Sequence, residues 1–305
     1  MQRLGGVELG VKAGLNNLPH LRRLRLGQYS NTLPDGTSVP ALGQGTWYMG
    51  ERASNRGAEA SALRLGIDLG LTLIDTAEMY ADGGAEEVVG EAIHGRRDEV
   101  FLVSKAYPQN ASKARMKRAC EASLKRLGVD RLDLYLLHWR GSVPFGETIA
   151  AFEELIREGK IARWGVSNLD PDDMAELYAS PGGRGCAVNQ VLYNPQYRGI
   201  EFDLLPWAAR ERLPIMAYSP VGQGGSLLKN RAMISVAARH DASPAQIALA
   251  WALRHPHVIA IPKAASEDHV RQNAAAVSIE LTSADLAEID TAFPPPRQAQ
   301  SLAML

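Results

Sequence analysis

Eight short apolar runs recur along the chain, and amphipathic stretches separate them. The runs are VPALGQGTW, LTLID, EVFLVSK, RLDLYLLHW, IARWGVSN, CAVNQVLYN, LPIMAYSP and HVIAIPK. Between them lie helical patterns such as AEEVVGEAI, MKRACEASLKRLG, TIAAFEELIREGK, PDDMAELYAS and DLLPWAARER. Near-continuous apolar strands alternating with helices read as parallel βαβ units with both sheet faces covered. Eight such units predict an α/β chain closed into a (β/α)₈ TIM barrel, with a doubly wound open sheet as the alternative. Ahead of the first unit, TLPDGTSVPAL carries the turn signal Pro34-Asp35-Gly36 between two extended pieces. A hairpin there would close the bottom of the barrel. The 305 residues suit one such domain over 29–305, with residues 1–28 as a loose extension.

Composition narrows the function. Lys plus Arg is 33 and Asp plus Glu is 34, a balance that argues against a nucleic-acid partner. No 18-residue apolar run occurs, so no membrane span is expected. Arg22-Arg23 is not followed by the apolar stretch that a twin-arginine signal needs. A cytoplasmic location is the expectation. Cys120 and Cys186 lie far apart and lack metal-ligand spacing, which suggests free thiols and no metal.

The runs end in polar residues. Asp75, Lys105, His138, Ser167-Asn168, Gln190 and Tyr218-Ser219 each close one of them. In a (β/α)₈ barrel the carboxyl ends of the strands form the active-site face. Asp75 and Lys105 lie on consecutive strands, and as a pair they offset the cost that each would carry alone. Tyr80, on the loop after Asp75, can reach the ammonium, which would lower its pKa and make it a general acid. His138, on the next strand, could bond the same substrate oxygen. Taken singly, these residues read as a rim salt bridge, a packed aromatic and a structural histidine. Four together at successive strand ends point to a site. A Rossmann reading fails because Tyr48 stands where a third glycine should follow Gly43 and Gly45. No Walker, HExxH or G-x-S-x-G pattern occurs.

The segments LIDTAEMY, VSKAYP and LLHW, then WGVSN, VNQVLYN, AYSPVGQG and IPKAAS, resemble those of the aldo-keto reductases. The resemblance runs from about residue 31 to about 294. It is strongest to the bacterial branch that reduces methylglyoxal and other small aldehydes. It implies an enzyme that reduces carbonyls with NADPH, with Tyr80 as proton donor, Lys105 lowering its pKa, Asp75 holding Lys105, and His138 orienting the substrate. It further implies that Ser167, Asn168 and Gln190 hold the nicotinamide carboxamide and that Tyr218 stacks on the ring. Ser219, Pro220, Val221 and Gln223 would line the pyrophosphate path, and Gly45 and Thr46 would approach through the backbone. Trp47, Met79, Tyr107 and Trp139 would wall the substrate.

IPKAASEDHVRQN would bind the adenosine end through Lys263, Ser266, His269 and Asn273. Here the chain departs from the family pattern. Ala264 replaces a small polar residue, and His269 replaces an arginine. A histidine gives a weaker, pH-dependent charge than a bidentate guanidinium, so NADH is possible beside NADPH. The short tail PPPRQAQSLAML suggests an open pocket. A small carbonyl substrate and a monomer are expected. The alternative is a non-catalytic, cofactor-binding regulatory subunit of the same fold.

Overall fold

The apolar runs become strands because both of their faces are covered. The computed structural model describes residues 29–305, so the reading of residues 1–28 lies outside it. After a hairpin of β1 (Ser30–Thr32) and β2 (Ser38–Pro40) come the eight strands. They are β3 (Gln44–Gly45), β4 (Leu73–Asp75), β5 (Phe101–Ala106), β6 (Leu134–Leu137), β7 (Trp164–Ser167), β8 (Cys186–Leu192), β9 (Ile215–Tyr218) and β10 (Val258–Ala260). Neighbours pair in parallel and in chain order from β3 to β10. The ends also meet. Gly43 N–H donates to Ala260 O at 2.8 Å, and Gly45 N–H donates to Pro262 O at 3.0 Å. The sheet is thereby closed, and the open-sheet alternative falls away.

Helices α1 (Arg56–Asp68), α2 (Gly84–Ile93), α3 (Lys113–Leu127), α4 (Phe145–Arg157), α5 (Pro171–Ala179) and α6 (Leu204–Glu211) follow the first six strands. The chain then adds α7 (Arg231–Arg239), α8 (Pro244–Leu253), α9 (Glu267–Ala275) and α10 (Ser283–Ala292). Alternation along each strand splits the core in two. Leu73, Val103, Leu136, Val188, Met216 and Ile259 fill the barrel. Ile74, Leu102, Tyr135, Leu137 and Ile215 face the helices instead. Cys120 and Cys186 are buried free thiols, and burial pushes both up to about 12. Among the described residues, no helix is long and apolar enough to cross a membrane.

The hairpin loop is Pro34-Asp35-Gly36. Gly36 N–H donates to Leu33 O at 2.8 Å, and Gly36 takes φ 86°, a conformation that suits glycine. Leu33 and Val39 insert into the inner core. Asn31 Nδ2 donates to Val258 O at 2.9 Å, and Arg163 Nε donates to Asp35 Oδ2 at 2.5 Å. Val258 begins β10 and Arg163 immediately precedes β7, so the hairpin closes the amino-terminal end. The opposite, carboxyl end stays open for chemistry.

Candidate active site

At the carboxyl end, two neighbouring strands and the turn after the first bring one acid, one base and one phenol together. Asp75 pairs in register with Val103, which puts Lys105 two residues farther along β5 and on the same inward face. From there Lys105 Nζ reaches Asp75 Oδ2 at 2.7 Å, Thr76 O at 2.8 Å and Tyr80 Oη at 3.0 Å. Tyr80 starts a short 3₁₀ turn after β4. The Lys105 side chain is fully buried. Thr46 Oγ1 donates to Asp75 O at 3.0 Å. His138 follows β6, and its ring meets that of Tyr80 edge-on at 5.8 Å.

Burial governs the electrostatics. Alone it would lower the Lys105 ammonium, but Asp75 and Tyr80 outweigh it and hold the ammonium above the ordinary lysine value. Burial pushes the Asp75 carboxyl upward against the pull of Lys105 and Gln190. The same effect corrects an expectation for Tyr80. Its phenol is not lowered: burial raises it, Lys105 draws it down, and Asp75 raises it again, with a net upward shift. The phenol therefore keeps its proton at neutral pH, and Lys105 favours the anion that forms when that proton leaves. Burial and the charge of Lys105 lower His138 to about 2, so its imidazole is neutral.

Gln190 does more than line the rim. Its Nε2 donates to Asp75 Oδ1 at 2.7 Å, so one carboxylate is held by Lys105 on one oxygen and Gln190 on the other. Ser167 Oγ donates to Gln190 O at 2.8 Å. Asn168 Nδ2 donates to His138 O at 3.1 Å, and Asn168 Oδ1 accepts from Tyr218 Oη at 3.1 Å. These bonds lock the ends of β6 to β9 into one rim.

A cavity of about 620 Å³ opens above this rim. Its walls include Gly45, Thr46, Trp47, Asp75, Met79, Tyr80, His138, Trp139, Ser167, Asn168, Gln190 and Tyr218. It continues past Ser219, Pro220, Val221 and Gln223 to Lys263, His269 and Asn273. Lys105 lies beneath it. Two of the residues expected at the site do not line the cavity. Tyr107 packs edge-on behind Trp139, with centroids 5.8 Å apart, and is not in the wall. Ser266 caps α9, accepting from His269 N–H at 3.4 Å, and does not line the cavity.

The profile of the Aldo/keto reductase family matches residues 41–293. The chain is 60% identical to methylglyoxal reductase YeaE of Escherichia coli (strain K12) over 272 residues, 88% of this chain and 96% of that one. The chain belongs to the aldo/keto reductase family. An aldo/keto reductase from Klebsiella pneumoniae, solved in complex with NADP and acetate, is 56% identical, with a TM-score of 0.89 over 91% of this chain and 99% of that one. Glyoxal reductase of Bacillus subtilis (strain 168) is 33% identical, over 85% of this chain and 90% of its own.

In this aldo/keto reductase the cavity also takes in residues that sequence reasoning missed. Tyr48, Leu228, Gln272, Met304 and Leu305 line it. Gln272 precedes Asn273 on α9 and could have been read with it. Leu228 carries no local signal. Met304 and Leu305 show that the tail reaches back to the edge of the site, where both residues stay more than half exposed. Backbone strain gathers at the same place. Tyr48, Asn168, Ser219 and Gln223 have φ of 67°, 58°, 47° and 55°, and all four line the cavity. Non-glycine residues hold this conformation only where their surroundings impose it.

Proposed function

We propose that this chain is an NADPH-dependent reductase of small aldehydes and ketones such as methylglyoxal, with Tyr80 as the proton donor. The observation that carries this reading is a single buried ammonium, Lys105 Nζ, bonded at once to Asp75 and to the Tyr80 hydroxyl at a cavity wall. The cavity volume falls within the range of small-molecule and cofactor sites. Its donor set suits a dinucleotide, with a rim of amides and hydroxyls at one end and Lys263, His269 and Asn273 at the other. NADH remains an accepted second cofactor in this reading, because His269 offers less charge than an arginine.

When bound, the nicotinamide supplies the hydride that reaches the carbonyl carbon. Tyr80 gives its proton to the carbonyl oxygen, so the C=O becomes an alcohol. Lys105 stabilises the phenolate left behind, and Asp75, held from the far side by Gln190, keeps Lys105 in place. His138, being neutral, can donate one hydrogen bond to the oxygen as charge builds on it. Trp47, Met79 and Trp139 keep water from the reacting atoms.

The test is NADPH consumption with methylglyoxal and with benzaldehyde. Tyr80→Phe is expected to abolish turnover while cofactor binding persists. Equal inertness of wild type and variant across an aldehyde panel would favour a regulatory, non-catalytic role.

A further inference from the structure

The turn after β3 carries a tyrosine where the backbone asks for glycine. Met49 N–H donates to Thr46 O at 2.9 Å, which makes Tyr48 the third residue of a tight turn. At φ 67° it occupies a position that favours glycine or asparagine. The fold explains the turn. Met49 is fully buried, and Gly50 comes so close to α2 that a Cβ on it would lie 2.4 Å from the backbone carbon of Gly84.

The fold does not explain the tyrosine. Its side chain is 50% exposed, and among the described residues its hydroxyl has no hydrogen-bond partner. Its ring stacks on Trp47, with centroids 4.6 Å apart and planes 17° apart, and it lines the cavity. Trp47 in turn lies 6.5 Å from the Tyr80 ring. Aromatic surface therefore runs outward from Tyr80 through Trp47 to Tyr48.

We infer that Tyr48 is a specificity-determining residue that extends the substrate site to aryl aldehydes. The inference rests on the reading of Tyr80 as proton donor. With its carbonyl at Tyr80 and His138, a three-carbon aldehyde ends beside Trp47. An aryl aldehyde carries a planar ring farther out, to the Trp47–Tyr48 pair, which holds it by offset or edge-on contact. A bulky side chain at a strained backbone position fits a ligand contact better than a folding requirement.

The experiment compares kcat/KM for benzaldehyde and methylglyoxal, with NADPH, in wild type, Tyr48→Gly and Tyr48→Phe. Tyr48→Gly is expected to lower the benzaldehyde-to-methylglyoxal ratio by about tenfold or more, mainly through KM for benzaldehyde, while Tyr48→Phe keeps the ratio. The glycine variant should also melt no lower than wild type, because glycine adopts this φ freely. An unchanged ratio in Tyr48→Gly overturns the inference. A wild type that reduces neither aldehyde overturns the proposed function instead. Benzoate binding to wild type and Tyr48→Gly, measured by calorimetry, then decides the aryl subsite: about tenfold weaker binding to the variant supports it, and equal binding overturns it.

Discussion

Lys105 Nζ lies 3.0 Å from the Tyr80 hydroxyl, in a barrel end where neither side chain has appreciable contact with water. The relationship depends on Asp75. Replacing Asp75 by Asn leaves the ammonium buried and uncompensated, which is expected to cost about 3–5 kcal/mol of stability and most of the turnover. In the double variant Asp75→Asn/Lys105→Met no buried charge is left unpaired. Urea unfolding should show stability partly restored while kcat stays low, which separates the structural from the chemical role of the pair.

Gln190→Leu removes the donor to Asp75 Oδ1 and leaves that oxygen buried without its partner. The expected cost is about 1–3 kcal/mol in urea unfolding. A variant as stable as wild type would mean that the bond contributes nothing.

The pH behaviour follows from His138 and Tyr80. His138 titrates at about 2 in the folded chain, against about 6.5 when unfolded. Its contribution is fully present above the unfolded value and is lost as pH falls, by about 1.4 kcal/mol per unit, because only the unfolded chain takes up the proton. His138→Asn should flatten the acid side of the stability curve by this amount. Tyr80 must hold its proton to donate it, and its pKa is raised. Reduction should therefore fall only at alkaline pH, above about 10. A break in kcat/KM near neutrality that disappears in His138→Asn would contradict a neutral imidazole.

At the adenosine end, His269→Arg introduces a guanidinium that can grip a phosphate with two donors. The preference for NADPH over NADH, measured as a ratio of kcat/KM values, is expected to rise by about tenfold, or about 1.4 kcal/mol. An unchanged ratio would remove His269 from the cofactor site.

Leu33→Ala tests the separation of the two barrel ends. Leu33, in the hairpin, is buried in the inner core, so truncation should cost about 2–5 kcal/mol. Because the cavity lies at the opposite end, kcat/KM should hold at temperatures where the variant is folded.

The strand-and-helix rhythm was legible in the sequence because periodicity and apolar runs are local properties. Seven of the eight runs contain one barrel strand, and the eighth, EVFLVSK, misses only the last residue of β5. Asp75, Lys105 and His138 were legible as site residues for a related reason: strand ends in a parallel barrel converge on one face. The hairpin was legible from Pro34-Asp35-Gly36, since turn chemistry is also local. Tertiary structure decided the rest. Gln190 supports Asp75 across 115 residues of chain, a partnership that no local pattern encodes. The direction of the Tyr80 shift depends on how much water the surrounding side chains exclude, which outweighed the one charge visible from the sequence. Tyr48 lines the cavity and Tyr107 does not, because the strained turn after β3 stacks the Tyr48 ring on Trp47, while the Tyr107 ring packs edge-on against Trp139. Sequence thus determined which chemical groups meet, and packing determined their protonation and what else can reach them.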